Sequence, residues 1–221
     1  MKAEYLDHAG SDLFVANVAR VSFSKESREF TLREDLEKGS DEGLIEFLAK
    51  NSHWSPFGHP TISLRMKAPV PIRTQCFKHK QGFIENEESR RYISSKPELY
   101  IPEFFRSKPQ GSIKQGSGEA HPSSDYWLEC YERKCIEALA TYEVMIEDGV
   151  CPEQARFVLP QGCQVNWIWT GSLAAYSRFY KQRTDPHAQV EIQELAKEVG
   201  TIIEELFPYS WKALTQETNN D

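Results

Sequence analysis

The chain predicts an α+β domain, and three observations predict it. Residues 61–67 alternate apolar with polar side chains, the period of a half-buried strand, whereas residues 125–147 and 186–206 space their apolar residues by three and four, the period of a helix facing a core. These segments do not follow one another in the strict strand–helix alternation of a doubly wound sheet. Neither GxGxxG after a strand nor GxxxxGK followed by Ser or Thr occurs, so any dinucleotide is held without a Rossmann domain. With 221 residues, 39% hydrophobic and 12% aromatic, the chain fits one large domain or at most two small ones. No internal repeat is present.

Taken in order, residues 1–23 read as extended, with residues 14–19 starting either a strand or a helix. Ser40 and Asp41 cap a helix reaching Lys50, with Leu44, Ile45, Phe47 and Leu48 as its apolar face. Residues 53–60 form a turn-rich loop. Ile62, Leu64 and Met66 then alternate with Ser63, Arg65 and Lys67 in a strand. Pro69 and Pro71 break it, and Pro71 opens a helix that carries Gln75 to Lys80. Residues 107–124, rich in Gly, Ser and Pro, read as a flexible surface insertion within a single domain spanning 1–221. A long helix follows from Asp125 to Glu147, with Trp127, Leu128, Tyr131, Cys135, Ala138, Leu139, Tyr142, Met145 and Ile146 on one face and Gly149 as its stop. Pro152 opens a short helix to Leu159, Val165 to Thr170 is a strand, and Ser172 to Gln182 is a helix. Asp185-Pro186 caps the last helix, whose inward residues are Val190, Ile192, Leu195, Ala196, Val199, Ile202, Ile203 and Leu206.

A net charge of −7 argues against general binding to nucleic acid, which calls for a basic excess. No apolar run approaches the ~20 residues of a membrane span, and the first residues lack the hydrophobic stretch of a secretory leader. Five cysteines, at 76, 130, 135, 151 and 163, are odd in number and form no CxxC pair. They predict free thiols in a reducing cytoplasm, and no metal site.

The densest chemistry lies at residues 75–92. Gln75, Lys78, His79, Lys80, Glu87, Glu88, Ser89, Arg90 and Arg91 crowd together there with few aliphatic residues between them. So many ionisable groups are costly to bury without partners. The segment is either a solvated loop or the wall of a site for a charged ligand. Lys, Arg, His and Ser together are the donors a phosphate or nucleotide needs.

Four blocks in order carry a resemblance. They are His53-x-Ser55-Pro56-Phe57-x-His59; Lys78-His79-Lys80 with eight residues before Ser89, inside Asn86-Glu87-Glu88-Ser89-Arg90-Arg91-Tyr92; Ala155-Arg156-x-Val158-Leu159-Pro160; and Arg183-x-Asp185-x-His187-Ala188-Gln189-x-Glu191-Ile192. The chain resembles the flavin-dependent thymidylate synthases, the ThyX family, across roughly residues 12–210. It differs from the strict family motif, Arg-His-Arg with seven residues before Ser, in both cations and in spacing. The resemblance implies a single domain with a central, mostly antiparallel sheet and long helices. It also implies conversion of dUMP to dTMP, with FAD as cofactor, and NADPH and methylene-tetrahydrofolate as co-substrates. The implied assembly is a homotetramer with sites between subunits.

The same resemblance distributes roles. Arg183 activates the pyrimidine by drawing negative charge into the ring, and His53 serves substrate or proton transfer. Ser55, Lys78, His79, Lys80, Glu87, Ser172, Arg178 and His187 fall to FAD. Gln75, Lys78, Glu87, Glu88, Ser89, Arg90, Arg91, Arg156 and Arg183 fall to dUMP. Where the family has Asn-x-Arg, this chain has Ser172-Leu173-Ala174, and Arg178 stands one helical turn on to offset the missing cation. Gly58 stands where the family often has Glu.

Other readings stay open from the residues alone. Cys76 beside Lys78 and His79 is either an activated nucleophile or a small buried helix residue. The basic stretch with Trp54, Phe83 and Tyr92 also suits a small nucleic-acid module. The histidines at 53, 59, 79 and 187 suggest a metal hydrolase, although no HExxH spacing occurs. A homologue that binds nucleotide without turnover fits the changed cations.

Overall fold

Alternation sets the sheet. In the computed structural model, which describes residues 1–34, 39–109 and 116–216, four strands run β1 (Lys2–Ala9), β2 (Thr61–Pro69), β3 (Phe83–Glu87) and β4 (Gln164–Ser172). Their spatial order is β1-β2-β4-β3 and every neighbouring pair is antiparallel. Ile62, Leu64, Met66 and Ala68 of β2 are fully buried on one face, and Val165, Trp167 and Trp169 of β4 share that face. Leu64 lies opposite Trp169 and Met66 opposite Trp167, so the widest side chains meet across the central pair. On the other face Ser63 and Thr170 hydrogen-bond at 2.8 Å, and Ile168 is partly exposed. Helices therefore cover one side of the sheet.

The covering helices are α1 (Asp12–Arg20), α2 (Asp41–Lys50), α3 (Val70–Cys76), α6 (Leu173–Arg183), α7 (Val190–Leu206) and α8 (Pro208–Thr215). Ile192, Leu195, Ala196, Val199 and Ile203 of α7 bury a three-and-four stripe into the same core as Tyr176 and Phe179 of α6. Two buried carboxylates tie helix ends. Asp12 accepts the backbone N–H of Tyr209 and Ser210 at 3.1 and 2.8 Å, satisfying orphan donors at the start of α8. Burial alone would raise the pKa of Asp41, but bonds from Arg20, Thr31 and Ser27 outweigh it and hold the carboxyl below its ordinary value.

The remaining helices are α4 (Ser124–Glu147) and the single turn α5 (Pro152–Ala155), followed by a 3-10 turn at Arg156–Val158. Only Ser124, Cys135, Leu139 and Tyr142 of α4 are buried, and Trp127, Tyr126, Ile136 and Val144 face outward. The expected face of α4 is thus narrower than its spacing predicts.

Several expectations are corrected. Residues 1–23 are a strand and then a helix. Phe47 is exposed. α3 ends at Cys76, so Lys78 to Lys80 lie in the turn beyond it. The last long helix starts at Val190 with Gln189 as its cap, because Asp185 instead binds the backbone and ring of His187 in a turn. The 107–124 segment is paired at both ends, through Ser107 with Glu119 and Gly118, and through Phe105 with His121. Its centre, 110–115, lies outside the described residues.

Candidate active site

Strand β4 passes directly into α6, and Ser172 caps the helix by accepting the Ala175 N–H at 3.2 Å. The two ends of α6 each carry part of the predicted chemistry.

At the C-terminal end sits Arg183, half-buried. Its Nε donates to His79 Nε2 at 2.9 Å, and one terminal nitrogen donates to the Gln75 carbonyl at 3.3 Å. That carbonyl belongs to the last turn of α3 and also accepts the Lys78 N–H at 3.3 Å. Because Nε2 accepts, the neutral His79 ring carries its proton on Nδ1. Burial, reinforced by the charges of Arg183 and Arg178, pushes the His79 pKa down to about 4. The imidazole is therefore neutral near pH 7 and packs edge-on against Phe179, 5.1 Å between centroids.

Arg183 opens onto a cleft of about 1180 Å³. Gln75, Asp185, His187, Gln189 and Glu191 line it together with Tyr100, Phe104, Phe105, Arg106 and Tyr131, and Arg106 is paired with Glu191. Gln75 Nε2 donates to Gln189 Oε1 at 2.7 Å. A second cavity of about 290 Å³ is lined by Arg73, Glu87, Glu88, Ser89, Arg90 and Arg156, and Gln161 borders both. Here Glu87 pairs with Arg73 at 3.0 Å, yet burial, with Glu88 adding to it against Arg73, leaves its pKa raised. Glu88 accepts from Asn166 at 2.8 Å. Arg156 donates to the Glu153 carbonyl at 3.2 Å. Arg91 borders neither cavity and pairs with Glu153 at 3.1 Å.

The N-terminal end of α6 gathers the third group. On one side the 3-10 turn Ser55–Gly58 packs against α6, and Pro60 accepts the Leu173 N–H at 3.1 Å; His53 and Ser55 are exposed there. On the other side Gly82 accepts the Ser172 N–H at 3.0 Å, and Arg178 donates to the Gln81 carbonyl at 2.6 Å. Lys78 and Lys80 rise from this same turn, Lys78 without an ion pair among the described residues and Lys80 bound to Glu85. Gly82 has φ +81°, and a Cβ there would sit 3.0 Å from Ala175 and 3.2 Å from the Ser172 hydroxyl, so only glycine lets the turn approach. Ala174 faces the core, and the cation at this end is Arg178. The turn that carries these cations closes on the capped helix N-terminus through Gly82, and such cations fit an anionic phosphate-bearing group.

Cys76 is fully buried, and burial pushes its thiol up to about 12 against the opposing charge of Arg183. It is the small core residue and not a thiolate nucleophile. Among the described residues no group of three His, Cys, Asp or Glu side chains converges as metal ligands. Sequence reasoning missed Arg73, Gln161 and Arg106, which lie outside the quoted blocks. It quoted Gln189 and Glu191 without giving them a role.

An antiparallel sheet backed by helices, with arginines at two adjoining cavities, makes this an α+β protein suited to an anionic ligand. The fold is similar to that of the UMP/dUMP methylase PolB from Streptomyces cacaoi bound with 5-Br dUMP: TM-score 0.84 and 26% identity, covering 97% of this chain and 94% of that one. The family described as "Thymidylate synthase complementing protein" matches residues 4–209. The flavin-dependent thymidylate synthase of a Thermus thermophilus strain is 33% identical over 211 residues, 96% of this chain and 74% of the relative. That of Thermosipho africanus is 31% identical over 212 residues, 94% of this chain and 88% of the relative. The chain belongs to the flavin-dependent thymidylate synthase family. No described helix is long and apolar enough to cross a membrane.

Proposed function

We propose that this protein methylates dUMP to dTMP with a bound FAD, taking its carbon from methylene-tetrahydrofolate and its reducing equivalents from NADPH. The observation that carries this reading is Arg183, a guanidinium fixed on the cleft wall by His79 and the Gln75 carbonyl. A carbon acceptor at C5 of uracil needs negative charge drawn into the ring, and a prepositioned guanidinium at the ring edge stabilises that charge without reorganising. His79 serves here by holding Arg183, and its neutrality leaves the guanidinium as the local positive charge. Gln75 presents its amide beside Arg183. Arg156, Arg90 and Ser89 supply donors for the phosphate; Glu88 lies 3.9 Å from Arg90 on the wall of the second cavity, and Glu87 pairs there with Arg73.

Lys78, Lys80, Arg178 and Ser172, with His53 and Ser55 across the helix end, would hold the FAD. When bound, it supplies the hydride chemistry that the side chains lack. In this reading the assembly is a homotetramer in which neighbouring subunits complete each site. The first test is the visible spectrum of the purified protein, then tritium release from 5-tritiated dUMP with methylene-tetrahydrofolate and NADPH. Flavin absorbance with tritium release is the expected result. A colourless protein that takes up no FAD in the presence of dUMP would overturn it.

A further inference from the structure

We infer that Arg106 and Glu191 form a positioning pair that sets the direction of an amide relay, Gln189 to Gln75, and thereby makes the cleft select uracil over cytosine. The inference rests on the dUMP reading above and names what reads the base.

All four side chains and Arg183 line one cleft. Arg106 is placed firmly: its backbone bridges Ala120, and the flanking Phe105 and Ser107 are bonded to Ser124 and Glu119 at 2.8 and 2.9 Å. Its guanidinium binds Glu191 Oε1 in the first turn of α7. Glu191 is only 7% exposed, and its Oε2 is buried with no hydrogen-bond partner among the described residues. A buried carboxylate is an acceptor only, so it governs how the amide next to it turns. That amide is Gln189, the cap residue of α7 two positions before Glu191 and on the lining of the same cleft.

An amide's oxygen and nitrogen ends are alike in shape, so neighbours decide which faces where. With NH₂ drawn toward the carboxylate, Gln189 turns its Oε1 to Gln75, and Gln75 spends an N–H on that oxygen at 2.7 Å. Gln75 Oε1 is then left as an acceptor in the cleft that Arg183, a donor, also lines. Uracil offers the matching edge: an N3–H donor flanked by carbonyl acceptors. Cytosine offers an acceptor at N3 and is refused by the same pair, because a fixed acceptor facing an acceptor leaves both unpaired. A relay without the carboxylate would turn either way and admit both bases.

The test uses the flavin-loaded enzyme. Dissociation constants for dUMP and dCMP are measured by titration calorimetry for the wild type, Glu191→Gln, Arg106→Met and Arg106→Lys, with melting temperature and flavin absorbance as checks on the fold. The expected result is a roughly tenfold or greater fall in the dUMP-to-dCMP affinity ratio in Glu191→Gln and Arg106→Met, the worth of about one hydrogen bond, and recovery of most of it in Arg106→Lys. Should Glu191→Gln not fold, Gln189→Met leaves the ion pair intact and carries the same expectation. An unchanged ratio in folded variants that still bind dUMP would overturn the relay alone. A wild type that binds no dUMP would overturn both the relay and the reading beneath it.

Discussion

The two ends of helix α6 handle charge in opposite ways. At its C-terminus Arg183 is half-buried and held by two bonds from within the chain, to His79 and the Gln75 carbonyl. Toward its N-terminus the turn of residues 77–82, which carries the exposed Lys78 and Lys80, closes on Ser172 through Gly82, and only Arg178 is tied to the backbone of that turn. One end is preorganised and the other is open. Preorganisation suits a group whose task is to meet a developing charge, since it costs no rearrangement when the charge appears. An open cationic rim suits a group that must admit a large phosphate-bearing ligand.

Breaking the preorganised end should have the largest effect. Arg183→Ala is expected to lower kcat for tritium release by about 100- to 1,000-fold, the worth of one prepositioned donor, with flavin absorbance retained. A loss below tenfold would show that the fixed end is not where charge is met. Next comes Gly171→Ala. A Cβ there would sit 2.4 Å from the ring of Phe83, which stacks on Trp169 at 4.0 Å. The overpacking should cost about 1–3 kcal/mol in denaturant unfolding, and FAD affinity should fall with it because β3 carries the cationic turn. At the open end, Lys78→Ala and Arg178→Ala should each weaken FAD about tenfold, measured by fluorescence titration, with a shallower salt dependence. If Arg178→Ala leaves FAD affinity unchanged while Lys80→Ala abolishes it, Arg178 does not stand in for the missing cation at Ala174.

Acid should sharpen the same contrast. The folded His79 pKa of about 4 lies below the ordinary 6.5, so the unfolded chain takes up this proton first. Its contribution to stability is constant above 6.5, declines as pH falls from 6.5 toward 4, and is flat below that. His79→Gln, compared with the wild type in unfolding across this range, should remove that slope. The smallest effect belongs to Cys76→Ser, where activity per folded molecule should be unchanged; its loss would reopen the nucleophile reading.

Where side-chain period and burial agree, the sequence was readable: β2, β4, α2 and the inward stripe of α7 lie where alternation and spacing place them. β3 was not, because its residues Phe-Ile-Glu-Asn-Glu show no apolar–polar alternation although burial alternates along them. α8 was hidden behind Phe207-Pro208, where a helix of eight residues leans on a carboxylate nearly two hundred positions away. At the site, Arg183, Gln75 and His79 all stood in quoted segments, but their mutual bonds span more than a hundred residues and follow no local pattern. Arg106 gave no signal, since its place depends on the pairing of residues 105–107 with 119–124.

Gly171 carries a consequence for anyone redesigning this protein. It lines neither cavity, sits opposite Phe83 in the ladder, and has a flat aromatic ring where its side chain would be. In a saturation screen for activity it should tolerate as little as Arg183 does, and by activity alone the two would be indistinguishable. Only a screen that also reports abundance would separate the residue proposed to meet the nucleotide from the one that merely leaves room for a ring.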